Sequence, residues 1–303
     1  MQWSDTLKNH TMQGTLAEYN FSRIRLSTYR PFTIKYIYYD SLMIDRPGLF
    51  KEIYPNDNSE SENLVISVPS IGGRSNFWCF CTNHTTNYAL TSIDATQCFP
   101  FYLYSEDGSM RAENLTDWAW QEFRSHYRDE AIAKWDIFHY VYALLHHPAY
   151  REKYAANLRR ELPRLPLAPD FWGFAKAGAR LAELHVRYEQ QPEYPLTWVE
   201  KAGATLNWRV DRMKLTPDKT GLIYNNFLTL DGIPPEVFDY KLGNRSALDW
   251  VIDQYKVSTD PRSGITNDPN RADDPRYILN LIGQVITVSL ETLKTINNLP
   301  PLD

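Results

Sequence analysis

The chain has 303 residues, with 32 Lys and Arg against 37 Asp and Glu, a formal net charge of −5 and a pI near 5.8. With 43% hydrophobic and 23% charged residues it is the composition of a folded chain, not a disordered or fibrous one. The acidic balance excludes bulk electrostatic coating of nucleic acid, so any DNA reader here must gather its basic residues locally.

Aromatic residues reach 14%, from 20 Tyr, 13 Phe and 9 Trp, which suits large cores or a recognition surface. No membrane partner is expected. The most apolar stretch, Ile137–Leu145, is interrupted by His139 and is far shorter than the roughly 20 residues a bilayer needs. Asp5, Lys8, Glu18, Arg23 and Arg25 leave no apolar run for a signal peptide. Cys79, Cys81 and Cys98 are too few for a disulfide framework and point to a reduced, cytoplasmic protein.

In chain order, residues 1–20 read as a short amphipathic lead-in or linker remnant, with the abrupt start of a cut fragment. Residues 21–115 form a β-rich lobe. Its strands are expected at Ile24–Tyr29, Phe32–Tyr39, Leu64–Val68, Phe77–Thr82 and Phe99–Tyr104, rich in aromatic and β-branched residues. Turn signals at Arg46-Pro47-Gly48, Asn56-Asp57-Asn58 and Ile71-Gly72-Gly73 separate them.

Residues 116–193 are helical. Thr116 opens a helical period, and Asp129-Glu130 are placed at the N-terminal end of a long apolar helix through Leu145, ended by Pro148. Ala149–Leu162 reads as a second, basic helix, and Asp170 caps a third from Phe171 to Tyr188. Residues 194–303 are a mixed α/β part with short strands, a helix capped by Ser246, a polar loop and a final helix, Arg276–Ile296. The fold class is therefore α+β: a β-rich N-terminal lobe, a helical region, a short mixed segment and C-terminal helices.

The sequence lacks a glycine-rich phosphate loop, an amino-methyltransferase signature and HExxH or CxxC zinc spacing. Cys79-x-Cys81 has no second ligand pair and reads as packed core thiols. His146-His147 reads as a helix C-terminal pair favoured by the dipole. Pro217-Asp218 followed by Asp239-Tyr240-Lys241 loosely matches a metal-dependent nuclease, with Asp218 and Asp239 on Mg²⁺ and Lys241 on the water; Pro217–Gly221 reads equally as a turn.

DNA reading needs cations for phosphates, and planar forks or amides for base edges. Arg23, Arg25, Arg30 and Lys35 form a run with no acidic residue between them. Arg74, Ser75 and Asn76 follow a Gly-Gly pair that permits close backbone approach. Arg209, Arg212 and Lys214, with Asn225 and Asn226, make a third cluster. The segment Arg151–Arg164, with net charge +3, reads as a solvated face, and Arg262 and Arg271 as weaker phosphate candidates.

Several blocks recur together in one order: Tyr29-Arg30-Pro31-Phe32 with Tyr36–Tyr39, Phe99–Tyr104, Phe138–His146 with Pro148–Arg151, Leu162–Pro166, Ala177–His185, Ala247–Tyr255 and Ser263–Asn270. On these the chain resembles, over about residues 21–300, the C-terminal specificity domain of Type ISP restriction-modification enzymes, with kinship to Type IIG target-recognition regions. Thr33 departs from the acidic residue expected after the Pro-Phe pair. The resemblance implies sequence-specific recognition of double-stranded DNA in a prokaryotic cytoplasm, with no catalysis or cofactor in this chain. It further implies partner methyltransferase and helicase-nuclease domains, in the same or an associated polypeptide, which would use S-adenosylmethionine and ATP with Mg²⁺. A non-reading protein-docking module is the remaining alternative.

Overall fold

Short elements dominate the first third of the chain in a computed structural model, which describes residues 5–40, 42–44, 49–105 and 107–303. The turn signal at Arg46-Pro47-Gly48 lies outside the described residues. Helix α1 (Asp5–Met12) precedes β1 (Ile24–Arg30) and β2 (Thr33–Tyr38), which pair antiparallel from Ile24↔Tyr38 to Arg30↔Thr33. The turn between them is fixed by Phe32, a non-glycine residue at φ 56° whose ring is fully buried against Phe80 and Tyr188. Burying a whole aromatic ring offsets the cost of that backbone conformation.

Helix α2 (Phe50–Ile53) leads to α3 (Asp57–Glu62). The turn expected at Asn56-Asp57-Asn58 is therefore a helix start: Asn56 caps α3 by accepting the Ser59 N–H. Then β3 (Val65–Pro69) lies between β4 (Phe80–Thr82) and β6 (Thr96–Pro100), while β5 (Thr85–Thr86) adds parallel to β1. The strand expected over Phe99–Tyr104 splits after Pro100, and β7 (Tyr102–Tyr104) instead pairs with β8 (Arg111–Glu113). Phe101, at the break, is buried and stacks on Trp135 at 3.6 Å.

The helical period expected from Thr116 is borne out, but the long apolar helix expected to start at Asp129-Glu130 begins later, at Lys134. Thr116 caps α4 (Asp117–Tyr127), which Arg128 ends in a left-handed conformation, and α5 (Lys134–His146) follows. Asp129 lies in the connection, where it accepts from the Ala131 N–H and the Trp172 indole; Asp136 is the acid of the first turn of α5. The basic helix expected over Ala149–Leu162 is broken into α6 (Pro148–Lys153) and α7 (Ala155–Leu158), because Tyr154 leaves helical geometry between them. Pro148 opens α6 at its first position, where a missing N–H costs nothing.

Asp170 caps α8 (Phe171–Val186) as expected. Helices α5 and α8 approach so closely at Gly178 that a Cβ there would lie 1.8 Å from the His139 carbonyl oxygen. The remainder is a four-stranded antiparallel sheet of β9 (Thr197–Glu200), β10 (Lys214–Leu215), β11 (Gly221–Ile223) and β12 (Leu228–Asp231), ordered β10-β11-β12-β9. Helices α9 (Ala247–Gln254), capped by Ser246 with Asp249, and α10 (Tyr277–Asn297) complete an α+β fold.

Two hydrophobic cores form among the described residues. One gathers Phe32, Trp78 and Phe80 with Leu184, Leu222, Trp250 and Ile282. The other gathers Val68, Cys79, Cys81 and Phe101 with Ile137, Tyr140, Phe174 and Leu302. A polar seam joins them at His185, whose Nδ1 is 2.5 Å from the Tyr142 hydroxyl and whose Nε2 is 3.0 Å from both Thr292 Oγ1 and the Tyr240 hydroxyl. Burial drives the His185 pKa down to about 3 and that of His146 well below its ordinary value. His146 is thus neutral. Its Nδ1–H donates to the Tyr142 carbonyl near the C-terminal end of α5, and Nδ1 lies 3.3 Å from Cys79 Sγ, so it meets its own helix end as a buried neutral ring.

Candidate nucleic-acid interface

Two of the four cations in the run through β1 and β2, Arg23 and Arg25, meet acidic partners from elsewhere in the chain. Arg25 is buried; its guanidinium donates to the Tyr54 carbonyl at 2.7 Å, lies 3.8 Å from Glu60 and sits over the Tyr39 ring. Arg23 is paired with the buried Asp40. Lys35 donates to Asn267 at 2.9 Å, and desolvation, then the Arg30 charge, lower its pKa. Arg30 stacks on Tyr29 and donates to its carbonyl. Arg25 therefore turns no donor edge outward, and Arg23 and Lys35 are largely committed to protein partners.

The loop Ser70–Asn76 behaves differently. Gly72 takes φ +76° and donates its N–H to the Arg159 carbonyl, which brings the exposed Arg159 and Arg160 beside a loop more than 80 residues earlier in sequence. Arg74 keeps 69% of its side chain exposed although it pairs with Asp94. Its Nε and Nη2 both donate to Asp94 Oδ1, at 3.2 and 2.9 Å, and its backbone N–H donates to Oδ2 at 3.0 Å. Those bonds, foremost the one from the Arg74 side chain, hold the Asp94 carboxyl below the ordinary carboxylate range. Asn76 is exposed, whereas Ser75 is buried, its hydroxyl meeting no partner among the described residues. Sequence reasoning missed Asp94, because nothing in the chain between them links the two residues.

The third cluster divides. Asn225 is spent on structure: its amide donates to the Asn207 and Arg209 carbonyls, and its oxygen accepts from the Phe227 and Leu228 N–H groups. Arg209 is bridged to Asp211 and Asp268. Arg212, Lys214 and Asn226 are exposed. Arg212 borders a recess of about 270 Å³ together with Arg245 and Lys256, which share Asp253 at 2.7 Å each.

Asp218 is occupied inside its own turn, accepting from the hydroxyls of Thr216 and Thr220, and these bonds lower its pKa. Among the described residues no three His, Cys, Asp or Glu side chains gather as a metal site. No helix among them is long and apolar enough to cross a membrane. A concavity of about 900 Å³ lies between β1–β2 and the end of α8, with Asn83, His84, Arg187, Gln190 and Arg271 offering polar groups to it; of these only Arg271 was marked in the sequence.

Rigid cores that carry exposed arginine and amide loops on their surface are the construction of a recognition module. The particular family follows from comparison. The sequence profile of the Type ISP C-terminal specificity domain matches residues 1–281, and the chain belongs to that family. Solved structures agree. A nuclease-deletion mutant of the Type ISP restriction-modification enzyme LlaGI, in complex with a DNA substrate mimic, is 34% identical with a TM-score of 0.86 over 99% of this chain and 27% of that one. The ATP-dependent Type ISP enzyme LlaBIII bound to DNA is 33% identical with a TM-score of 0.90, covering all of this chain and 20% of that one. The DrdV–DNA complex is 32% identical with a TM-score of 0.89, covering all of this chain and 31% of that one. The chain thus spans less than a third of each. Curated proteins give no match.

Proposed function

We propose that the chain recognises a double-stranded DNA sequence on behalf of a restriction-modification enzyme. In this reading separate parts carry adenine-N6 methylation and cleavage, together with their S-adenosylmethionine and ATP with Mg²⁺. The observation that carries it is the similarity of the whole chain, at 32–34% identity, to parts of enzymes solved with DNA. The local chemistry supports the same reading. Arg74 and Asn76 are outward-facing groups of the types that pair with guanine and adenine edges, and Arg159 and Arg160 beside them suit phosphates. Arg212, Lys214 and Asn226 form a second exposed set, whereas Arg25 and Asn225 serve the fold.

Selection from randomised duplexes at about 150 mM salt tests the proposal, because non-specific binding falls steeply with salt while base contacts persist. A defined consensus is the expected result. A salt-steep profile with no sequence preference overturns it and favours a module that docks protein without reading DNA.

A further inference from the structure

An arginine that reads guanine must present two parallel N–H groups to O6 and N7, and a free guanidinium on a long side chain rotates through many orientations. The guanidinium has two such edges: one made by Nε and an Nη, the other by the two Nη atoms. In Arg74 the first edge is held. Nε and Nη2 both donate to Asp94 Oδ1. Asp94 is itself fixed, because Oδ2 accepts from the Arg74 backbone N–H and from the Ser92 hydroxyl, and its own N–H donates to Ser92. Its side chain is only 17% exposed, whereas that of Arg74 is 69% exposed. With the inner edge on the carboxylate and most of the side chain exposed, Nη1 meets no protein partner among the described residues and the Nη1–Nη2 edge stays available to a ligand. Gly73 lets the loop backbone turn close to Ser70, where a Cβ would sit 3.1 Å from the carbonyl oxygen.

We infer that Asp94 is a specificity-positioning residue, which clamps the inner edge of Arg74 so that its outer fork reads the O6 and N7 acceptors of one guanine in the major groove. The inference rests on the proposed DNA-reading function and names the residue that sets one position of the target. Ordering the side chain before binding lowers the entropy lost on contact, and the loss of that order is felt at one base pair only.

The test compares the unaltered chain with Arg74→Ala, Asp94→Ala, Asp94→Asn and the Arg74→Ala/Asp94→Ala double variant, each by selection from randomised duplexes and by titration with a random-sequence duplex. Arg74→Ala is expected to remove a guanine preference at one base pair, by about ten- to a hundredfold. Asp94→Ala should weaken the preference at that same base pair by about three- to tenfold, while random-sequence duplex binds no more weakly, because a negative charge has been removed. Asp94→Asn keeps an acceptor oxygen and should fall between Asp94→Ala and the unaltered chain. The double variant should be no worse than Arg74→Ala, since both act through one contact. If Asp94→Ala retains the full preference that Arg74→Ala loses, or weakens binding to all duplexes equally, the positioning role is overturned and the DNA-reading proposal survives. If Arg74→Ala leaves an existing consensus intact, guanine readout by this loop is overturned. Absence of any consensus from the unaltered chain overturns the DNA-reading proposal itself.

Discussion

The β1–β2 hairpin and the Ser70–Asn76 loop both bring arginine to an acidic partner, yet they leave it with opposite capacities. Arg25 is enclosed, with its guanidinium bonded to the Tyr54 carbonyl, facing Glu60 and covered by the Tyr39 ring. Arg74 is gripped on one edge by Asp94 and stays exposed on the other. An ion pair by itself therefore does not mark a side chain as structural or functional. What decides is whether the pairing consumes the fork or orients it. Enclosed, the pair fixes one strand against α3 and its neighbours; at the surface, it aims donors at solvent.

The contrast can be broken most readily at Arg25. Arg25→Ala should destabilise the fold by about 3 kcal/mol, read as a fall in the urea midpoint, because it leaves Glu60 and the Tyr54 carbonyl without their buried partner. An unchanged midpoint with lost DNA binding would place Arg25 with Arg74 instead. Arg74→Ala should show the mirror image: no measurable change in the urea midpoint, and about 1–3 kcal/mol of discrimination lost at one base pair.

Acid separates the loop from the buried seam between α5 and α8. His185 and His146 have folded-state pKa values depressed far below those of the unfolded chain, so the unfolded state takes up protons first as pH falls. The stability they allow is intact above about pH 6.5 and is lost below it, by about 1.4 kcal/mol per pH unit for each histidine. The Asp94 carboxyl, shifted down, stays ionised throughout that window and loses its stabilisation only as pH falls through its lowered value. Between pH 6.5 and 5 the urea midpoint should therefore drop while base preference at the Arg74 position holds. A preference lost in step with stability would show that the loop is not independent of the histidine seam.

The smallest effect is the sharpest within one cluster. Asn225→Ala should cost about 1 kcal/mol, because its amide closes four backbone hydrogen bonds, while the adjacent and exposed Asn226→Ala should leave the urea midpoint within about 0.5 kcal/mol. Equal losses at the two positions would show that exposure does not divide that cluster.

Local chemistry made much of the fold readable. Side-chain caps at Thr116, Asp170 and Ser246 start helices where the sequence places them, since a cap and its N–H partner lie three residues apart. Of Trp135, Phe138, Tyr142 and Leu145, whose helical spacing reads as a core face of α5, the last three are buried and Trp135 is half-buried, stacked on Phe101. The failures arise instead from contacts that chain folding supplies. The break of the basic helix at Tyr154 and the split of the strand at Pro100–Phe101 satisfy distant partners: Tyr150 bonds to the Arg164 carbonyl and Phe101 stacks on Trp135. Of the site, residue types and the exposed glycine loop were legible; partners were not.

The sequence by itself determined the α+β order, the aromatic stock of the cores and the family resemblance, because periodicity, caps and ordered blocks are properties of neighbouring residues. It also set the net charge of −5, which requires any positive patch to be local. Only the tertiary structure decided which cations form one. Asp40, Glu60 and Asp94 reach Arg23, Arg25 and Arg74 through chain folding, and Gly72 meets Arg159 across a backbone hydrogen bond. Coulomb and hydrogen-bond energies depend on distance in space, and a run free of acids along the chain says nothing about the acids folded against it.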